Sequence, residues 1–206
     1  AFSACFVIRR SAKLEWVYFI IGTRQNMAEV QQVFQHLLTE AVSLAKQNGQ
    51  TWQSYADPEL RSPAQYGEVQ DDLVAWWPVA RTTTADFSGL QQALEFSLHA
   101  DVQAFYGWGY GGGLTATHAR GPLELLMVWH DEDFIRLQHN IIAHILMKRR
   151  LKQQETVFIA ATDDDELLIS VLNSTGEVFL EKVGCEVKEL LAPDLASFLQ
   201  QLSVKN

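Results

Sequence analysis

The stretch from Asp131 to Lys152 constrains this chain more than any other. It opens on three acids, Asp131-Glu132-Asp133, and closes on four bases, Lys148, Arg149, Arg150 and Lys152. Between them Phe134, Leu137, Ile141, Ile142, Ile145 and Leu146 recur at steps of three and four, the period of one helix face. Acids in a first turn and bases in a last turn complement the helix dipole, by about 0.3–1 kcal/mol each. The stretch therefore predicts a long helix buried along one side.

A second helix is expected over Ala28–Asn48, from the stripe Val30, Val33, Phe34, Leu37, Leu38, Ala41, Leu44 and Ala45, with Gly49 as its stop. Residues 50–72 are polar and carry Pro58, Pro63 and Gly67, so they read as a long loop. Strands are predicted at Leu73–Val79, Leu114–His118, Leu123–Val128, Thr156–Ala161, Glu166–Leu172 and Val178–Lys182, with a short one at Val187–Leu191. Leu90–Leu98 and Asp101–Tyr106 read as short helices, and Asn173-Ser174-Thr175-Gly176 as a hairpin turn. Asp194 is placed to cap a closing helix through Leu202. Hairpin-joined strands framed by helices predict an α+β fold: a single domain with a mostly antiparallel sheet flanked by helices.

Residues 1–26 stand apart in charge. They carry four bases against one acid, while the other 180 residues sum to −12 within an overall −9. No apolar run among them approaches the roughly 18–20 residues of a membrane span. They read as upstream translated or vector-derived sequence, a non-native or vestigial extension, with Met27 as the natural start of a domain over 27–206. The alternative is an amphipathic extension lying on a membrane.

The residues offer little for catalysis. Gly107-Trp108-Gly109-Tyr110-Gly111-Gly112 fits Gly-x-Gly-x-x-Gly, but a dinucleotide fingerprint needs a strand before it and a helix after it. It reads instead as a turn that exposes Trp108 and Tyr110. None of the six histidines stands in a His-Glu-x-x-His pattern, and Cys5 and Cys185 stand alone, so neither metal nor cofactor is expected. No Gly-x-Ser-x-Gly is present, and no enzyme is expected.

What remains is negative charge. The acidic clusters are Asp71-Asp72, Asp131-Glu132-Asp133 and Asp163-Asp164-Asp165-Glu166. Adjacent like charges repel by about 1 kcal/mol per close pair even in water. The third cluster lies between two strands and has no evident structural duty, so a basic partner is expected for it. Nucleic acid and anionic lipid are disfavoured by the same charge.

The chain resembles the Syd family of SecY-interacting proteins. The resemblance rests on Trp129-His130-Asp131-Glu132-Asp133-Phe134-Ile135-Arg136-Leu137-Gln138-His139-Asn140-Ile141-Ile142-Ala143-His144, Lys148 to Lys152, Thr156-Val157-Phe158-Ile159-Ala160, Val171 to Val178 and Leu195-Ala196-Ser197-Phe198-Leu199. Ala100 to Tyr106 agrees upstream, and the match is collinear from about Val33 to Leu202. Ala143 stands where glycine is expected, and residues 1–26 find no counterpart. The resemblance implies a SUKH-like fold and a protein held at the cytoplasmic side of the inner membrane. It implies peripheral attachment through SecY, the channel subunit of the translocase, where the protein monitors or regulates assembly of SecYEG. It also implies an acidic concave surface facing SecY's basic loops. Candidate contact residues are Asp71, Asp72, Asp101, Asp163, Asp164 and Asp165, then Glu132 and Asp133, with Trp108 and Tyr110 as aromatic anchors. The competing reading is an acidic immunity-type protein that neutralises a basic toxin.

Overall fold

Among the described residues two helices open and close the sequence of elements, and eleven strands fall between them in three antiparallel sheets. The computed structural model describes residues 12–57 and 59–204. Helix α1 covers Ala12–Gln47, so it runs without a break through Met27 rather than starting beside it. The expectations for residues 1–11 lie outside the described residues. Strands β1 (Trp52–Tyr55), β2 (Gln65–Gln70) and β3 (Leu73–Trp76) make a small sheet in the order β1-β3-β2. Strand β4 (Val79–Ala80) pairs with β5 (Gly109–Tyr110), and helices α2 (Ser88–Leu94) and α3 (Ala100–Tyr106) lie between them in sequence.

The main sheet has six strands: β6 (Leu114–His118), β7 (Gly121–Leu125), β8 (Thr156–Thr162), β9 (Leu167–Leu172), β10 (Val178–Lys182) and β11 (Glu189–Ala192). Each pairs with its neighbour in sequence order, all antiparallel. Helix α4 (Asp131–Arg150) interrupts the meander between β7 and β8 and packs back on β8. Helix α5 (Leu195–Gln200) closes the chain against α1, with Asp194 accepting the Ser197 N–H at 2.7 Å. The fold is α+β in one domain, as the hairpin pattern predicts.

Other expectations change, and the strand expected over Leu73–Val79 divides into β3 and β4. The polar loop at 50–72 contains β1 and β2. Five of the six residues of β2 are exposed, so there is no apolar alternation to read. The glycine run is not a loose turn either. Gly109 lies against the Val79 carbonyl in the β4–β5 pair, where no side chain fits, and Gly111 donates to the Val128 carbonyl at 2.9 Å.

The buried face of α4 carries Phe134, Ile141 and Ile145, then Lys148 one step further. Lys148 was expected among the dipole-complementing surface bases, yet it is fully buried. Its Nζ donates to Glu181 of β10 at 2.9 Å and to the Cys185 carbonyl at 2.9 Å. The Thr156 hydroxyl donates to the other Glu181 oxygen at 2.7 Å, and His144 Nε2 lies 3.0 Å from that hydroxyl. Burial pushes the His144 imidazole below its ordinary value, against the pull of Glu181.

A buried ion pair costs most when one half is removed, about 3–5 kcal/mol. Lys148→Met and Glu181→Leu are each expected to lower unfolding free energy by about that much. The double variant is expected to lose far less than the sum, in urea or guanidinium titration. Additive losses would show that the two groups are independent.

Candidate functional site

The candidate contact residues fall on separate elements, and several have local structural work. Asp71 and Asp72 form the two-residue turn of the β2–β3 hairpin, with Gln70 and Leu73 paired beneath them. Their φ angles are 51° and 63°. Such a turn needs the left-handed region at both positions, and Asp tolerates it better than most residues. Both side chains are exposed.

In the β8–β9 turn, Asp164 Oδ1 accepts the Glu166 N–H at 2.9 Å, and the Asp164 N–H donates to Thr162 Oγ1 at 3.1 Å. Glu166 pairs with Lys182 at 2.7 Å. Two of the four acids therefore do have a structural duty, contrary to expectation. Asp163 and Asp165 are exposed and make no described hydrogen bond or ion pair.

At the start of α4 the cap is His130, not an acid. Its Nδ1 accepts the Asp133 N–H at 3.1 Å while Asp133 accepts the Trp129 N–H at 3.2 Å, a reciprocal pair that satisfies two free donors. Asp133 also pairs with Arg136. Glu132 is exposed. Asp131 accepts from the Tyr110 hydroxyl at 2.7 Å and from Arg81 at 2.7 Å, and these bonds hold its carboxyl below the ordinary range.

Two candidates are buried and a third is half-buried. Tyr110 is buried, with the Arg81 guanidinium 4.3 Å from its ring centre, because β4–β5 pairing and the Gly111–Val128 bond fold it inward. Trp108 is half-buried, edge-on to Phe34 at 5.6 Å. Asp101 is 2% exposed, in the first turn of α3. Its Oδ1 has no described hydrogen-bond partner. Burial raises its pKa, and the nearby His99 opposes the rise.

One feature escaped the sequence. A cavity of about 420 Å³ lies where α1 and β1 approach the β6–β7 pair. Its lining includes Trp52, Trp76, Gly112, Gly113, Thr115 and Glu124. The Trp76-Trp77 pair is visible in the sequence, but Trp52 sits in the stretch read as loop, and Glu124 is a lone acid on a strand. The cross-strand register brings Trp52 to Trp76, and the β6–β7 pair places Glu124 in the same lining.

Comparison with known proteins adds kinship. The family model described as Syd protein (SUKH-2) matches residues 7–203. The match reaches into residues 7–26, which the sequence resemblance left without a counterpart. A protein named Protein Syd from Pseudoalteromonas atlantica is 41% identical over 176 residues, covering 84% of this chain and 95% of that one. Its namesake from Psychromonas ingrahamii is 42% identical over 151 residues, covering 73% of this chain and 82% of its own. The Aliivibrio fischeri protein of the same name is 42% identical over 135 residues, covering 66% and 74%.

Asp101 generates a pH prediction. An acid whose folded pKa is raised stays protonated in the folded chain after the unfolded chain has lost its proton. Stability then falls as pH rises from the ordinary value of 3.8 through the raised folded value. Asp101→Asn is expected to remove this decline and to gain on the parent above that window. Parallel melting-temperature profiles for the two proteins from pH 3 to pH 7 would disprove it.

Proposed function

The chain belongs to the Syd (SUKH-2) family, and on that premise we propose that it binds SecY, through an acidic surface that meets the channel's basic cytoplasmic loops. One observation supports this most. Residues 27–135 hold 14 acids against 4 bases, a charge of −10, whereas residues 136–206 hold 10 acids against 8 bases, only −2. The excess belongs to α1, the small sheet, α2, α3 and the start of α4. Asp71, Asp72, Glu132 and Asp133 sit in that portion, and the β8–β9 turn sits in the balanced one.

Cytoplasmic loops of membrane proteins are enriched in lysine and arginine. A field of this sign steers the protein toward them and holds it off anionic lipid. No helix among the described residues is long and apolar enough to cross a membrane. Attachment is peripheral, on the cytoplasmic side of the inner membrane, and made through protein. Such a surface engages the channel only while its basic loops are uncovered, which suits a monitor of SecYEG assembly.

Contacts between exposed charges are screened beyond about 8–10 Å at physiological salt. Affinity for proteoliposomes containing SecYEG is expected to fall at least about tenfold between 50 mM and 500 mM salt. Equal affinity at both would remove the electrostatic account. Asp71→Asn with Asp72→Gly keeps the turn, because both new residues accept positive φ, and removes two charges. Weaker binding at an unchanged melting temperature is expected. Reversal at Asp163→Lys with Asp165→Lys tests the other turn, and unaltered binding would take that turn out of the interface.

A further inference from the structure

The proposed partner is cationic, and the inference here rests on that reading while adding a specific pocket to it. We infer that the cavity beside Trp52 and Glu124 receives one arginine side chain of the partner. Trp52 and Trp76 stand with ring centres 5.0 Å apart and planes at 48°, and the Trp77 ring centre is 5.1 Å from that of Trp52 with planes at 54°. Trp76 is buried, so Trp52, half-buried, offers the accessible indole.

The glycine run makes the wall. A Cβ on Gly112 would stand 3.0 Å from the Trp76 ring, so only a bare backbone passes this close to that indole. Gly113 has φ +105°, and the Glu124 carboxylate lies directly where its side chain would project. A residue other than glycine at 113 would displace that carboxylate. Glu124 itself is exposed and makes no described hydrogen bond or ion pair. Its register partner is Thr115, also in the lining, so the outward face of the β6–β7 pair adds a hydroxyl beside the acid. Ala41, Leu44 and Val204 supply aliphatic surface.

These parts match one side chain in full. A guanidinium is planar, stacks on an indole, and meets a carboxylate with two parallel N–H donors. Its three-carbon stem can lie along the aliphatic wall. A lysine ammonium can meet the carboxylate but neither stacks nor binds it twice. The aromatic group already holds a cation elsewhere, for Lys46 Nζ lies 5.2 Å from the Trp77 ring centre. The neighbourhood therefore stabilises positive charge at a site the chain's own residues leave open at Glu124.

The test titrates the whole protein with N-acetyl-arginine amide, and with its uncharged citrulline analogue, while following the indole N–H signals by nuclear magnetic resonance. Arginine amide is expected to move the Trp52 and Trp76 signals saturably, citrulline amide to leave them, and lysine amide to act several-fold more weakly. Glu124→Gln changes no buried group, keeps the shape, and is expected to weaken the arginine response about tenfold. Trp52→Leu is a second variant with the same expected loss. Equal responses to arginine and citrulline, or a full response in Glu124→Gln, would overturn the inference. Binding to SecYEG proteoliposomes separates the two readings. If wild type and Glu124→Gln bind them equally well, the pocket is not used and the partner assignment stands. If neither binds while arginine amide still occupies the cavity, the assignment falls and the pocket stands.

Discussion

Burying Lys148 fixes how α4 meets the main sheet. An ammonium removed from water needs an opposite charge and acceptors for its protons at hydrogen-bond distance, or the helix that carries it cannot stay docked. Glu181 of β10 and the Cys185 carbonyl supply them. Thr156 then satisfies the second Glu181 oxygen, and His144, one turn before Lys148 on the same helix, reaches Thr156. Aliphatic side chains alone would let α4 slide or rotate at small cost. This network specifies one rotation and one height of the helix over the sheet. With its last turn pinned there, the first turn of α4 is carried to Tyr110 and Arg81 beside the β4–β5 pair, where Asp131 is held.

Most of the regular elements were legible because their apolar period matched their geometry. The stripe Phe134, Ile141 and Ile145 is one example, and Leu114–His118 is another whose bounds agree with the strand. Strands β1 and β2 were not legible. A half-exposed strand of the small sheet keeps little apolar alternation, and Pro58 and Pro63 around it say loop. Lys148 was misread for a related reason. It continues the buried stripe at Ile145 plus three, but a lysine beside Arg149 and Arg150 looks like the end of a solvated helix. Periodicity pointed inward and residue type pointed outward, and only a partner 33 residues away decides between them.

The acidic clusters show the opposite confusion. Their charge was legible, but their work was not. Asp71 and Asp72 are chosen as much by backbone as by charge, since few residues other than glycine accept φ of 51° and 63° in succession. Asp164 ties its turn to Thr162 and Glu166, and Asp133 closes the cap with His130. These local bonds are invisible to a count of charges. They leave an exposed carboxylate with a fixed position, which lowers the entropy lost when a partner arrives. Structural and recognition roles are therefore compatible at these turns, and the first limits how freely the second can be mutated.

Trp108 and Tyr110 carry the same lesson to the aromatic residues. Six residues with four glycines among them looked like a flexible display. Gly109 and Gly111 are instead the positions where backbone must touch backbone or a ring, and that contact folds Tyr110 beneath Arg81. Aromatic surface is left open elsewhere, along the small sheet, where Tyr55 is 79% exposed and Tyr66 stacks on Trp77 with centres 6.2 Å apart. Unburied aromatic rings and the larger share of the acids thus both belong to residues 27–135. Carboxylates alone draw many cations at long range with little selectivity. Rings held beside a carboxylate favour a cation with a flat, weakly hydrated head group, so the proposed arginine pocket would place selectivity at Trp52 and Glu124 rather than in the total charge.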